Sequence, residues 1–248
     1  MLSPARNVSR HYEVPSCASS LPHGNRHEKG RSLNQMASGQ MSRAEALECK
    51  GFRHACHVML YSDTESQLFG KTPIKHIVLM QMRYDGLLGF PGGLVNPSEE
   101  TLEAGLTREL LEEVGSAVPI SEEDLVETCI APPHPGFNPR LILHFYVKKM
   151  EEEQIRELEK AAATTAVDHG LEAMGMVRVP LYTTKSGGGL PNFLSQSFIG
   201  NARTQLVTSL RRLHLVSPGE LRRALQNSLR MHAESARSLK SDVALMEE

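Results

Sequence analysis

Apolar positions along the middle of the chain follow two different periods, and each period predicts one kind of element. Four apolar runs have the length of a strand: 54–61, 75–83, 140–148 and 176–182. Nearly continuous runs of this kind are typical of a sheet that is covered on both faces. Four other segments read as helices: 98–114, 151–163, 192–213 and 218–233. Because strands and helices interleave, the pattern predicts an α/β layered sandwich.

The helix predicted at 98–114 has the most regular pattern. Its apolar residues recur every four positions and form one stripe: Leu102, Leu106, Leu110 and Val114. Gly115 follows directly and is a favourable C-cap, since glycine adopts the left-handed conformation that ends many helices. The segment Phe90-Pro91-Gly92-Gly93 before the helix predicts a tight, glycine-rich loop.

The two ends of the chain lack a sustained apolar period. Residues 1–41 are therefore predicted to be a disordered extension, although several arginines and one acid in the first 26 residues faintly resemble an organelle transit peptide. Ser42 and Glu45 have the spacing of a capping box, which predicts a helix start and the beginning of the domain. We predict one domain at 42–233 and a polar tail at 234–248.

The overall charge narrows the function classes. Lysine and arginine total 27 against 29 acids, and this near balance excludes a bulk polybasic nucleic-acid binder while leaving a local basic groove open. No apolar stretch approaches the roughly 20 residues of a membrane helix, and the N-terminus lacks a secretory core. We therefore expect a soluble, intracellular protein with no membrane partner.

The four cysteines show no CxxC spacing. Free thiols in a reducing compartment are the expectation that follows. His54, Cys56 and His57 lie close together, but no second Cys/His pair follows at zinc-finger spacing, so the pattern argues against a structural zinc.

Acidic residues concentrate on the predicted helix. Glu109 lies three and four positions before Glu112 and Glu113, so these carboxylates neighbour one another on the helix surface. Clustered carboxylates repel each other unless a cation lies between them, and magnesium and manganese prefer such oxygen ligands. The alternative is a solvated acidic face in which Arg108 merely pairs with its neighbours.

The spacing of these residues resembles the nudix box, Gx5Ex7REUxEExGU. The matching residues are Gly92, Gly93, Glu100, Arg108, Glu109, Leu110, Glu112, Glu113 and Gly115. Two positions depart from the pattern. Glu99 has the family distance from Gly93, whereas Glu100 has the family distance from Arg108, so either glutamate could take the first position. Ser116 stands where the family has an apolar residue.

The resemblance extends over residues 42–213, to the nudix branch that includes the small nucleolar RNA decapping enzyme, the nudix hydrolase sixteen type. The segments that carry it are HACHVML, QLFG, VLMQMRYDGLLGFPGG, DHGLE, VRVPLY and PNFLSQSFIGNARTQL. It implies a single-domain α/β/α sandwich with a mixed sheet, forming a homodimer in the nucleus (nucleolus and nucleoplasm) and the cytoplasm. It also implies pyrophosphate hydrolysis on capped small nucleolar and messenger RNAs and on inosine and deoxyinosine diphosphate.

The same resemblance implies roles for individual residues. Metal binding, to magnesium or manganese with cobalt as a third candidate, is implied for Gly92, Glu109, Glu112, Glu113 and His134. The catalytic set is Glu109, Glu112 and Glu113. Contacts with the purine nucleotide are implied for His57, Arg83, Phe90 and Gln205. Thr208 stands where this branch carries an acid, which puts one metal ligand in doubt.

Two other functions compete with decapping. A relative in this branch, the Tudor-interacting repair regulator or syndesmos, has lost acids of the box and works by binding RNA or a Tudor domain. Glu109, Glu112 and Glu113 are all present here, which favours an enzyme over a non-catalytic binding regulator. A nucleotide pyrophosphatase without an RNA role has no distinguishing feature in the sequence.

Overall fold

The computed structural model describes residues 39–131 and 140–246, with side chains described as far as residue 239. These residues belong to one unit, Leu33–Glu248. Most of the predicted N-terminal extension lies outside the described residues, so the predicted domain boundaries stay predictions.

Within the described residues, seven strands form one mixed sheet and two more form a small hairpin. The sheet strands are β1 (Arg53–Asp63), β4 (His76–Arg83), β5 (Leu88–Gly89), β6 (Gly92–Val95), β7 (Leu125–Ile130), β8 (Leu141–Lys149) and β9 (Ala173–Arg178). The hairpin strands are β2 (Gln67–Leu68) and β3 (Thr72–Pro73). The main order is β5-β4-β1-β8-β7, with β6 paired to β1 and β9 paired to β4. β1 pairs in parallel with β8 and antiparallel with β4 and β6.

Helices cover both faces of this sheet. In chain order they are α1 (Arg43–Glu48), α2 (Leu102–Val114), α3 (Glu152–Thr164), α4 (Leu190–Leu194), α5 (Ala202–Arg212) and α6 (Pro218–Met246). One core joins the sheet to the apolar faces of α2 and α3, and the other joins the opposite face to α4, α5 and α6. This arrangement confirms the predicted α/β/α sandwich with a mixed sheet. No helix in residues 39–131 and 140–246 is long and apolar enough to cross a membrane.

The two sides of β1 explain its nearly continuous apolar run. Cys56, Val58 and Leu60 enter the core under α2 and α3, whereas Met59 enters the core under α5. A strand buried on both faces loses the alternation of a half-exposed strand. The three described cysteines, Cys49, Cys56 and Cys129, are free thiols as predicted.

The prediction of a glycine-rich loop is wrong at Gly92 and Gly93, because these two residues begin strand β6. Gly92 has φ 124° and lies so close to β1 that a methyl group there would collide with the backbone of Cys56 and His57. The glycines therefore permit close strand packing rather than a wide turn.

The helix predicted from Ser98 begins only at Leu102. The Asn96 side chain accepts a hydrogen bond from the Ser98 N–H at 3.2 Å, and this local turn replaces the first helical residues. Thr101 then caps α2 by accepting from the Ala104 N–H at 3.1 Å. The end was predicted correctly, because Gly115 has φ 67° and caps the helix.

Three C-terminal elements also differ from the prediction. The strand predicted at 176–182 lies at Ala173–Arg178, where it pairs with β4. The helix predicted at 192–213 divides into α4 and α5, because the intervening backbone pairs with Leu88 on either side, through Ser197 and Ile199. The last helix continues past residue 233 to Met246, so its predicted end is wrong.

The N-terminal part of the described chain lies along the edge of the sheet. Gln40 forms an antiparallel bridge with Cys129 of β7. Ser42 and Glu45 then form the predicted capping box at the start of α1. The edge strand β7 was not predicted, and it brings Glu127 and Thr128 to opposite faces of the sheet.

Candidate active site

The C-terminal half of α2 holds a buried carboxylate against the start of β6. Glu113 is 6% exposed and accepts hydrogen bonds from the Gly92 N–H at 2.7 Å and the Gln81 amide at 2.9 Å. Burial raises the pKa of Glu113 to about 7, although both hydrogen bonds act in the opposite direction. A cation placed beside it would favour the charged form.

Glu109 lies one helical turn earlier and faces the neighbouring glycine. A methyl group at Gly93 would collide with the Glu109 carboxylate, so a glycine is needed for this approach. Burial raises the pKa of Glu109, the ion pair with Arg108 lowers it, and the charges of Glu112 and Glu172 raise it again. Two successive glycines of β6 thus cradle two partly desolvated carboxylates of α2.

Arg108 connects the acids on the outer side of α2. Its guanidinium donates to Glu109 at 2.7 Å and to Glu100 at 2.9 Å, and it lies 3.6 Å from Glu112. These hydrogen bonds, with Glu100 first, raise the pKa of Arg108. Glu99 is exposed, so the structure places Glu100 rather than Glu99 in contact with the box arginine.

The carboxylate donors of this site have the chemistry that a divalent cation prefers. Glu109 and Glu113 offer hard oxygen ligands, and burial disfavours their charged forms in the absence of a cation. In the part of the chain that the structure describes, no three His, Cys, Asp or Glu side chains form a group that could hold a metal ion. Glu112 points outward with 42% of its side chain exposed. His134, the remaining predicted ligand, lies outside the described residues.

His57 lies on β1 opposite Gly92, whose N–H donates to Glu113. It is the register partner of Gly92, and burial lowers the pKa of His57 to about 4, with the positive charge of Arg83 contributing. The same Arg83 charge lowers the pKa of Glu113. Arg83 pairs with Asp85 at 3.0 Å, so a substrate phosphate would compete with this carboxylate.

The remaining predicted nucleotide contacts lie between the sheet and α5. Phe90 is 3% exposed and packs against Phe145, with ring centroids 5.0 Å apart. A ring so enclosed is a core residue here, and its stacking role stays a prediction. Gln205 is 7% exposed and donates to Glu127 at 3.4 Å. Thr208 is exposed on the same helix, and the structure shows no acid at that position.

Comparison with known proteins identifies the family of this chain. Residues 54–216 match the family described as Nudt16-like, U8 snoRNA-decapping enzyme-like. The chain belongs to this family. It is 42% identical to the U8 snoRNA-decapping enzyme of Xenopus laevis over 208 residues, which cover 82% of this chain and 96% of that protein. It is 48% identical to the Bos taurus enzyme of the same name, over 73% of this chain and 92% of that protein.

This Nudt16-like chain is also 43% identical to the Tudor-interacting repair regulator protein of Homo sapiens, over 75% of this chain and 86% of that protein. The NUDIX domain of Shewanella oneidensis NrtR is a more distant solved structure. It has a TM-score of 0.44 and 17% identity, over 70% of this chain and 99% of that chain. The homology to U8 snoRNA-decapping enzymes confirms the family and the enzyme class predicted from the box.

Three polar residues of this Nudt16-like site carried no predicted role. Gln81 interrupts an apolar strand, and a buried glutamine in such a run was the signal that could have found it. Glu172 belongs to the DHGLE segment, and its charge reaches Glu109. No local sequence pattern points to Glu127, because it reaches the α5 face only through the pairing of β7 with β8.

Proposed function

We propose that this protein is a metal-dependent hydrolase that cleaves pyrophosphate bonds in RNA caps and in purine nucleoside diphosphates. The substrates proposed are capped small nucleolar RNA, capped messenger RNA, and inosine and deoxyinosine diphosphate. The names of the relatives at 42% and 48% identity support the decapping part of this proposal. We also propose a nuclear (nucleolar and nucleoplasmic) and cytoplasmic location. The predicted homodimer stays a prediction.

The burial of Glu113 is the strongest support for this proposal. Glu113 is buried beside neutral hydrogen-bond donors, Gly92 and Gln81, and its pKa is raised to about 7. Burying an ionised carboxylate with no paired cation is costly, and acids in such surroundings are concentrated at functional sites. Glu113 would be a ligand for a divalent ion, whose charge would favour the ionised carboxylate.

Different residues are assigned to metal binding and to phosphate binding. Glu109, Glu113 and the backbone carbonyl of Gly92 would hold magnesium or manganese, with Glu112 as a further ligand. When bound, the ion neutralises negative charge on the diphosphate oxygens. Arg83 can exchange Asp85 for a phosphate oxygen, since both are anions within reach of one guanidinium.

Glu112 is the box carboxylate that is most open to solvent. We assign Glu112 as the base that accepts a proton from the attacking water. The water oxygen forms the new bond to phosphorus while the bridging P–O bond breaks. The leaving phosphate departs with the electron pair of that bond. For a capped RNA the products are a cap mononucleotide and a 5′-phosphorylated RNA. For inosine diphosphate they are the monophosphate and inorganic phosphate.

A substrate panel tests this function directly. The purified full chain, supplied with magnesium or manganese, is incubated with capped RNA, inosine diphosphate, other nucleoside diphosphates and dinucleotide cofactors. We expect nucleoside monophosphate release from at least capped RNA and inosine diphosphate, and no release after chelation of the metal. An absence of hydrolysis on every diphosphate, with either ion present, contradicts the proposal.

The second candidate function is non-catalytic binding of RNA or a Tudor domain. The 43% identity to the Tudor-interacting repair regulator protein is close to the value for the Xenopus laevis enzyme, so overall similarity does not separate the two. The intact acids Glu109, Glu112 and Glu113 favour the enzyme. Tight binding of capped RNA without turnover in the same panel would favour the binding protein.

A further inference from the structure

Glu127 lies on the α5 side of the sheet, in line with the candidate nucleotide site. It is the register partner of Phe145 on β8, and Phe145 is the register partner of His57 on β1. Residues directly opposite in a sheet project to the same face. Phe145 packs in the core that includes Leu206 and Leu210 of α5, so all three side chains point towards that helix.

Two neutral amides orient the Glu127 carboxylate. Gln40 donates to one oxygen at 3.1 Å, and Gln205 donates to the other at 3.4 Å. These amides come from the N-terminal segment and from α5, which are far apart in sequence. Each carboxylate oxygen can accept more than one hydrogen bond, so both retain acceptor capacity. The carboxylate is therefore held by amides, and no cation of residues 39–131 or 140–239 pairs with it.

We propose that Glu127 is a specificity residue that selects 6-oxopurine bases by accepting the hydrogen bond of their N1–H. The inference rests on the proposed function and deepens it. Hypoxanthine presents an O6 acceptor beside an N1–H donor, and guanine adds a second donor at N2. The Gln205 amide can donate to O6 while Glu127 accepts from N1–H. The pair thus matches the edge of a 6-oxopurine with one donor and one acceptor.

Adenine presents the reverse pattern. Its exocyclic N6 amine is a donor, and its N1 is an acceptor with no hydrogen. Gln205 can rotate its amide to accept from N6, but the Glu127 carboxylate carries no proton to donate to N1. An unmatched acceptor facing a fixed carboxylate loses a hydrogen bond and adds repulsion. The arrangement therefore disfavours adenine nucleotides.

Substitution Glu127→Gln tests this assignment with little change in shape. The full chain is assayed with inosine, guanosine and adenosine diphosphates, and kcat/KM is compared among them. We expect the preference for the two 6-oxopurines over adenine to fall about tenfold, since a glutamine can donate to N1 of adenine. Glu123→Gln, an exposed acid nearby, is the matched control and is expected to keep the wild-type preference.

Equilibrium binding gives a readout that does not depend on turnover. Binding of inosine and adenosine monophosphates to wild type and Glu127→Gln is measured by calorimetry, and Glu127→Asp, which keeps the charge, is expected to retain the sign of the preference. An unchanged base preference in Glu127→Gln, or an equal loss for all bases in both variants, overturns the role of Glu127. If wild type hydrolyses no diphosphate but binds the 6-oxopurine more tightly through Glu127, the proposed function fails while this inference stands.

Discussion

α2 holds a partly buried glutamate near its start and a buried glutamate near its end, and the two have different partners. Glu103 accepts hydrogen bonds from the Arg43 guanidinium at 3.0 Å and the Tyr146 hydroxyl at 2.8 Å. Among the residues that the structure describes, Glu113 accepts only from neutral N–H groups, those of Gly92 and Gln81. Arg43 pairs with the first carboxylate, whereas no cation of the described residues pairs with the second, although the charge of Arg83 lowers the pKa of Glu113. The comparison predicts a structural role for Glu103 and a catalytic role for Glu113, set apart by the charge of their neighbours.

The histidine rings near Glu103 also find partners inside the protein, although the Nε of Arg43 is buried and has none among the described residues. His54 and His144 share a hydrogen bond at 2.9 Å, and His144 also contacts the Thr128 hydroxyl at 3.1 Å. At the other end, the Gln81 carbonyl oxygen is buried and has no partner among the described residues. Changes at the first end should therefore alter stability, and changes at the second end should alter turnover.

The largest expected effect separates the two glutamates. In Glu113→Gln the amide keeps the size of the side chain but removes the charge, so we expect kcat on inosine diphosphate to fall roughly 100-fold or more. Thermal unfolding should change little, because a neutral group is easier to bury. Steady-state kinetics and a melting curve measure the two quantities on the same preparation.

Glu103→Gln is the counterpart of this substitution on the same helix. It breaks a charge-assisted pair, so we expect a loss of about 1 to 3 kcal/mol in the free energy of unfolding, with kcat close to wild type. If Glu103→Gln lowers kcat as much as Glu113→Gln does, or if Glu113→Gln retains wild-type turnover, the division between the two ends of α2 is wrong.

Acid should destabilise the protein through the buried histidine pair. Burial, with smaller contributions from His54 and Arg43, lowers the pKa of His144 to about 4, below its usual 6.5. Between these values the unfolded chain binds a proton that the folded chain does not, so stability falls as pH decreases and levels off below 4. A shift of this size corresponds to about 3 kcal/mol, measurable by urea unfolding across that pH range.

His57 contributes in the same direction, since burial also lowers its pKa to about 4. The variant His144→Gln removes the contribution of His144 to the pH dependence, because glutamine does not titrate. Its unfolding free energy should depend less steeply on pH than that of wild type between 6.5 and 4, whatever its absolute stability. An equal slope in the two proteins would show that His144 is protonated in the folded state.

The sequence predicted the features that depend on neighbouring residues. The apolar stripe of α2, its glycine C-cap and the spacing of Glu109 and Glu113 are all set within four residues, where helix geometry is reliable. It predicted Gln205 only through resemblance. The partner of Gln205, Glu127, is 78 residues away in the chain, and no local pattern reports such a pairing.

The wrong predictions have a common physical cause. Gly92 and Gly93 have the composition of a loop, yet tertiary packing against β1 makes them a strand. The predicted helix at 192–213 is interrupted because residues 197–199 satisfy their backbone groups on Leu88 instead. In both places contacts distant in sequence override local preference, and both places adjoin the candidate site.

The smallest predicted effect concerns the neutral donor beside the reactive carboxylate. Gln81→Leu removes the amide that donates to Glu113 at 2.9 Å, leaving the Gly92 N–H to hold that carboxylate alone. We expect kcat to fall about fivefold with KM nearly unchanged, since one positioning hydrogen bond contributes about 1 kcal/mol. Ser62→Ala is the matched control, because Ser62 lies on adjacent β1 and its hydroxyl is buried with no partner in the described part of the chain. Equal losses of kcat in the two variants would mean that burial in this part of the sheet, and not the hydrogen bond to Glu113, determines turnover.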